Sequence, residues 1–353
     1  MSILKTTILF VVALTCMCNN LFAQQCDDNC CSSQAGGQPP SGVMFASSHN
    51  KGEWMVSYRY MNMMMSGNLS GSKSIPDQQI FQNYIMSPDK MMMQMHMLML
   101  MYGVSNKLTL MAMLNYNVQS MSMNMFPVSV SQMPGMDMSS NNGQMNGKTS
   151  GFGDTKLYAI YKLLNKNKQT ILLTASISIP SGSINTTDVS SMNTSNIASY
   201  TMQLGSGSFE FLPALSYQKK FGNFSFGAQS AASFRLNDNS ANYRLGNEYN
   251  VTSWGSYKWC SWLSNSIRAE NIYTEQMSGY DHRILFITEP GANPINSGGE
   301  QINILAGADF YLTKGLVKRN KFSVEYGIPA YQNFNGIQMQ HHALLYVGWQ
   351  YSF

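Results

Sequence analysis

From Glu53 to Phe353 the chain alternates apolar and polar residues with a period of two, in stretches of roughly ten residues, the length a tilted strand needs to cross a bilayer. The clearest stretch is 107–119. There Leu108, Leu110, Ala112, Leu114, Tyr116 and Val118 oppose Thr109, Met111, Met113, Asn115, Asn117 and Gln119. Successive strand residues point to opposite faces, so each stretch predicts a strand with one apolar and one polar face. Segments 53–65, 91–102, 107–119, 152–164, 169–179, 208–218, 223–235, 250–259, 263–275, 301–312, 321–328 and 342–353 give about twelve strands. The connections between them alternate short and long. Gly103–Asn106, Asn165–Lys168, Lys219–Gly222, Cys260–Trp262 and Thr313–Asn320 are short; 66–90, 120–151, 180–207, 236–250, 276–299 and 329–341 are long. Short inner turns and long outer loops are the rhythm of an outer-membrane barrel. The expected fold is therefore all-β, a transmembrane antiparallel β-barrel over 53–353 with both termini on one side.

The second strand fixes attention on methionine. Met91, Met93, Met95, Met97, Met99 and Met101 occupy every odd position, an unbroken thioether ladder on one face. Parity points it into the lumen. In 107–119, Met111 and Met113 share the face of Thr109 and Asn115, opposite a wholly apolar face. In 53–65, Met55, Met61, Met63 and Met65 share the face of Arg59, which at the lipid midplane would cost about 2–4 kcal/mol. With the ladder inward, Gln94 and His96 face outward, a placement that suits only the outer rim. In the last segment Ala343, Leu345, Val347, Trp349 and Tyr351 oppose His342, Tyr346, Gln350 and Ser352, and His341-His342 read as rim histidines. Twenty-three of the 29 methionines lie between Met44 and Met145, including the Met121-Ser122-Met123 and Met133–Met138 runs of a long loop.

Composition narrows the class. Only 11% of residues are charged, yet no apolar run long enough for a helical span follows the N-terminus. A net charge of +4, scattered along the chain, gives no nucleic-acid footprint. Lys5, the apolar run Thr7–Cys18 and Leu21-Phe22-Ala23 predict a signal peptide over 1–23 and export to a Gram-negative outer membrane. Residues 24–52 read as a flexible, cysteine-containing N-terminal segment. Its Cys26, Cys30 and Cys31, like Cys260, are open to disulfide formation or to soft-metal binding. The terminal Tyr351-Ser352-Phe353 resembles the signal read by the barrel-assembly machinery.

Gly151-Phe152-Gly153-Asp154-Thr155-Lys156-Leu157, followed by Ser178-Ile179-Pro180-Ser181-Gly182-Ser183, resembles the phenol-degradation meta-pathway family of outer-membrane barrels. Met202–Gly207 and Pro329–Gly336 look like motifs of a methionine-rich branch. The resemblance spans roughly residues 52–353 and implies a barrel that moves small apolar molecules, with Gly151, Gly153, Asp154 and Lys156 as motif residues. From the residues themselves, Gly151 and Gly153 also suit the start of a strand after a long loop, with Asp154 and Lys156 facing the lumen.

No Gly-x-Ser-x-Gly elbow, His-Glu-x-x-His or phosphate loop is present, so a non-enzymatic role and no cofactor are expected. Three readings of the lumen follow. The leading one is a channel for small apolar solutes, aromatic ones included, along a greasy thioether wall. The alternative is soft-metal handling, with Cu(I) or Ag(I) held by Met91, Met93, Met95, Met97, Met99, Met111, Met113, Met121 and Met123. The third treats methionine as pliable filler in a structural or adhesin-like barrel.

Overall fold

The computed structural model describes residues 38–126, 143–188, 197–312 and 318–353. The expected leader 1–23, Cys26, Cys30, Cys31, Met133, Met136 and Met138 lie outside the described residues. No helix among those described is long and apolar enough to cross a membrane; the crossings are made by strands.

In chain order the strands are β1 (Trp54–Gly71), β2 (Lys73–Ile75), β3 (Met86–Gly103), β4 (Leu108–Met125), β5 (Gln144–Phe152), β6 (Thr155–Lys166), β7 (Gln169–Ile179), β8 (Glu210–Phe211), β9 (Ala214–Phe221), β10 (Phe224–Arg235), β11 (Tyr243–Arg244), β12 (Glu248–Lys258), β13 (Leu263–Thr274), β14 (Ser278–Gly279), β15 (Gly299–Leu312) and β16 (Asn320–Ser352). Each barrel strand pairs antiparallel with its neighbours, and the β10–β12 and β16–β1 pairings close the ring. β5 continues β6 along β4, and β8 continues β9 along β7 and β10.

Eleven strand elements form the ring, but β16 crosses twice. Its 33 residues would extend about 110 Å at ~3.3 Å each. The chain instead folds back at Asn335-Gly336, where Gly336 takes φ +63°. Residues before the fold pair with β15 and those after it with β1. The Gln332 side chain holds both backbone groups of His341, at 2.8 and 2.9 Å, and Trp349 Nε1 donates to Asn320 at 2.8 Å across the hairpin. Twelve crossings result, the number the alternation predicts.

The inner turns are tight. At Lys166–Gln169, Asn167 and Lys168 both take positive φ, the geometry that matches strand twist in a two-residue hairpin. The ends meet here too, with Trp54 N donating to the Phe353 carbonyl and Phe353 N to that of Trp54, each at 2.9 Å.

Several segments expected as outer loops are strand. β1, β3 and β4 run 18 residues each, well beyond the ~25 Å apolar band. The apolar outward pattern stops at the girdle because no lipid lies above it. Ser66, Ser120 and Ser122 then point outward above it, so alternation fades while pairing continues. Outward Leu98, Leu100, Leu110, Leu173, Val251, Ile267, Ile304 and Val347 make the lipid band. Trp54–Tyr102, Tyr257–Trp259 and Tyr351–Phe353 ring the inner edge, and Tyr116–Phe152, Phe234–Tyr249 and Tyr249–Tyr273 the outer. His96 sits in that outer girdle, 2.7 Å from the Tyr58 hydroxyl and tilted against the Tyr60 ring, while Gln94 Nε2 donates to Tyr60 at 2.9 Å. This satisfies the rim placement that an inward ladder requires.

Candidate functional site

Residues 38–50, expected to be a flexible lead-in, pack inside the barrel. Lys321 Nζ reaches the Pro39 carbonyl and Ser323 Oγ donates to Ser41 Oγ. Gly42 N donates to Glu325 Oε2 at 2.7 Å, Gln229 Nε2 to the Met44 carbonyl at 2.9 Å, and His49 N to Thr109 Oγ1 at 2.9 Å. Phe45 stacks on Tyr158 with ring centroids 5.0 Å apart. The segment thus arches up from the closed end of the barrel, spans it and returns to β1. Its seat is ionic: fully buried Arg268 bridges Glu325 at 2.8 Å and Glu270 at 3.0 Å. Val43, Met44 and Phe45 were a legible signal, an apolar triplet within a polar lead-in. Inward Arg268, Glu270 and Glu325 were another, because charges in mid-strand can only face the lumen.

The predicted methionines all point inward and divide into two clusters. Met97, Met99, Met111 and Met113 join Met55, Met101 and Tyr158 beside the plug, with Met95 packed against them. Met91, Met121 and Met123 join Met65, Met86, Met125, Ala198 and Met202 near the outer mouth, with Met93 packed against them. The ladder on β3 therefore feeds both clusters. Between them lies a cavity of about 570 Å³. Met61, Met63, Met95, Met97 and Met113 make one wall, and Glu248, Asn250, Thr252, Glu270, Gln301 and Asn303 the other. Met44 and Phe45 of the plug form its floor. Lys156 lines it as well.

Asp154 does something the sequence did not reveal. It sits at the break between β5 and β6, and its Oδ1 accepts from Gly182 N at 2.9 Å. Its Oδ2 accepts from Ser206 N at 2.8 Å and Ser206 Oγ at 2.7 Å. One carboxylate thereby ties both ends of the 180–207 loop to the wall. Gly153 lies against Asn115 and Asn117, and Gly182 against Gly205, where a Cβ would collide with backbone. Gly151 packs beneath Leu204 of the same loop.

The described residues of that loop bend inward as a roof, with Ala198 and Met202 buried in the outer methionine cluster and Thr149 Oγ1 donating to the Met202 carbonyl at 2.9 Å. The 280–298 segment lies beside it through Ile197, Ile284 and Ala292. Tyr84 accepts from Asn293 and Asn296, and Tyr200 from Asp281 N. Burial pushes the Asp281 carboxyl up, but hydrogen bonds from the Arg283 side chain and backbone outweigh it and hold the acid below its usual range. Burial also raises Glu289, here to about 7. The neighbouring Asp188 charge adds to the rise and a Ser199 hydrogen bond opposes it.

β16 brings a correction. The alternation sets His342 on the face of Tyr346 and Gln350. A bulge at Met64/Met65 skips one residue, pairing Met64 with Ala343 and Met65 with His341. His341 turns inward to line the cavity, while His342 turns outward onto the Ser66 carbonyl at 3.0 Å.

A closed antiparallel ring, an outward apolar band between aromatic girdles, and a lumen with a plug and a roof define a transmembrane β-barrel of the outer-membrane type. The chain belongs to the family described as "Putative MetA-pathway of phenol degradation", whose model matches residues 128–315. Its fold is that of the COG4313 outer-membrane channel of Pseudomonas putida F1, with a TM-score of 0.57 at 15% identity, covering 87% of this chain and 98% of that one. Looser likenesses are to a Pseudomonas aeruginosa FadL homologue (TM-score 0.36, 8% identity, 85% and 89% covered) and to a TodX deltaS2S3 mutant, a monoaromatic hydrocarbon channel (0.40, 9%, 91% and 95%). No curated protein matches the sequence.

Proposed function

We propose that the protein is an energy-independent channel for small apolar solutes, aromatic ones among them, in a Gram-negative outer membrane. The observation that carries this is the central cavity, apolar on its methionine side and floored by a plug that only non-covalent contacts hold. A small aromatic molecule burying about 150 Å² against thioethers gains roughly 4 kcal/mol, equivalent to millimolar binding. Such weak binding suits passage, because release stays fast. Pliable methionines accommodate solutes of different shape without a fixed pocket. The carboxylates and amides of the opposite wall offer a place for one polar group, such as a phenol hydroxyl. The family's description also makes phenol a natural probe. No reacting constellation is needed, and the chain works without turnover. Phe353, paired with Trp54 at the barrel seam, is the aromatic terminus that we assign to recognition by the barrel-assembly machinery.

Phenol and toluene uptake into liposomes carrying the purified barrel tests the reading. Uptake faster than in empty liposomes, with little acceleration of a sugar of similar size, is the expected result. Equal rates with and without protein for every apolar solute would overturn it.

A further inference from the structure

Register places four soft donors in one inward row at the outer methionine cluster. His341 on β16 pairs with Met65 on β1, Met65 with Met91 on β3, and Met91 with Met121 on β4. Neighbouring strands lie about 4.8 Å apart, so the row spans about 14 Å from His341 to Met121, and the flexible methionine side chains must lean toward its centre for their sulfurs to share one ion. The three methionines are buried. The bulge that brings the imidazole into the row is held by the Gln332 amide, which clamps the backbone of His341 on both sides.

His341 Nδ1 is buried and has no hydrogen-bond partner, and its ring lies beside Phe334, centroids 5.4 Å apart. An unpartnered, buried imidazole nitrogen beside Phe334 and opposite Met65 is costly as packing, whereas leucine or phenylalanine would leave no polar atom unpaired there. It makes sense as a ligand. Thioether sulfur selects soft, low-charge ions over hard ones, and an imidazole nitrogen suits copper as well. Among the described residues no group of three His, Cys, Asp or Glu side chains converges to hold a metal.

We propose that Met65, Met91, Met121 and His341 form a binding site for one soft monovalent ion, Cu(I) or Ag(I), in the barrel wall at the outer mouth. The site lies at the outer edge of the apolar cavity, which His341 also lines, and binding there does not depend on solute transport. Met123 and Met202, in the same cluster, provide further thioethers on the side of the roof, along which an ion can be handed inward.

The test uses the full-length barrel in detergent with Cys26, Cys30, Cys31 and Cys260 replaced by serine, so that thiols do not contribute. Cu(I) is titrated against a chromophoric Cu(I) chelator, with Ag(I) and Zn(II) in parallel and heat-modifiable gel migration reporting the fold. The expected result is one Cu(I) or Ag(I) per barrel and no Zn(II). Met65→Leu/Met91→Leu/Met121→Leu and His341→Phe should each weaken Cu(I) by tenfold or more, the order of loss seen when a metal site is disturbed. Met99→Leu/Met101→Leu, in the inner cluster, should bind as the parent does. X-ray absorption on the parent keeps the proposal testable if a variant fails to fold, since it should report sulfur and nitrogen neighbours together. No Cu(I) taken from the chelator, parent-like affinity in the triple or the His341 variant, or a copper shell without sulfur would each overturn the proposal.

Discussion

At the scale of the residue, Asp154 shows how a short motif acts. A carboxylate is well suited to its place because it accepts from two backbone amides and a hydroxyl at once. Hydrogen bonds to a charged acceptor are worth about 1.5–3 kcal/mol each. Asp154→Ala should therefore release the 180–207 loop at a cost of roughly 2–4 kcal/mol, less than the sum because water reaches the freed groups. Limited proteolysis should cut that loop faster in the variant while the barrel still migrates as a folded, heat-modifiable species; equal cutting rates would show that the staple is dispensable. The sequence made Gly153 and Asp154 visible through their spacing. It did not show what they hold, because Gly182 and Ser206 approach only after β7 and β8 have paired. The ladder methionines are the opposite case, since parity alone set their direction. Met95→Leu and Met97→Leu keep volume and apolarity, so each should cost less than about 1.5 kcal/mol. Thermal loss of heat-modifiability is the measurement, and a large drop would mean these sulfurs do more than pack.

At the scale of the element, the plug is the piece most open to manipulation. Its contacts with β4, β7, β10 and β16 are hydrogen bonds, Phe45 stacks on Tyr158 of β6, Val43 and Ala46 pack on Trp254 of β12, and Glu325 serves both the plug and Arg268. Glu325→Gln keeps the shape but removes one of the two carboxylates that neutralise Arg268, and a neutral amide oxygen is the weaker acceptor for Gly42 N. Deleting residues 39–48 removes the plug outright. Single-channel recording should show larger conductance for the deletion, with more frequent openings for Glu325→Gln. An unchanged conductance in the deletion would mean that the constriction lies in the roof. The β16 hairpin belongs to this scale as well. Its two halves were expected as strands, but Pro329–His341 was expected as a loop, because no apolar alternation marks a wall that stands in water.

At the scale of the molecule, the barrel is one tall methionine-rich wall facing a shorter polar one, closed by the plug at the inner end and the roof at the outer. The roof carries the pH dependence. Glu289 is raised to about 7 by burial, against an ordinary value near 4.3 in an unfolded or undocked loop. The docked roof thus holds a proton that the undocked loop has already lost. Docking is favoured fully at low pH, weakens as pH rises from about 4.3 to about 7, and stays at its weaker level above that. Hydrogen exchange in 280–298 should be slower at pH 5 than at pH 8, and Glu289→Gln should flatten the difference. Faster exchange at the lower pH, after correction for intrinsic rates, would contradict this.

The sequence by itself determined the antiparallel barrel and the inward direction of the methionines. The physical reason is local: a strand in a bilayer must show apolar residues to lipid at every second position, so periodicity, charge and parity suffice. Tertiary structure decided the rest. Residues 38–50 became a plug because Arg268, Glu270 and Glu325 converge from distant strands on its path. His341 rather than His342 turned inward because one bulge shifted the register against β1, reversing every inference from parity beyond it. The roof formed because Asp154 met Gly182 and Ser206 across the mouth. Each of these is a contact between residues far apart in sequence, and periodicity along one strand carries no record of which partner that strand will meet.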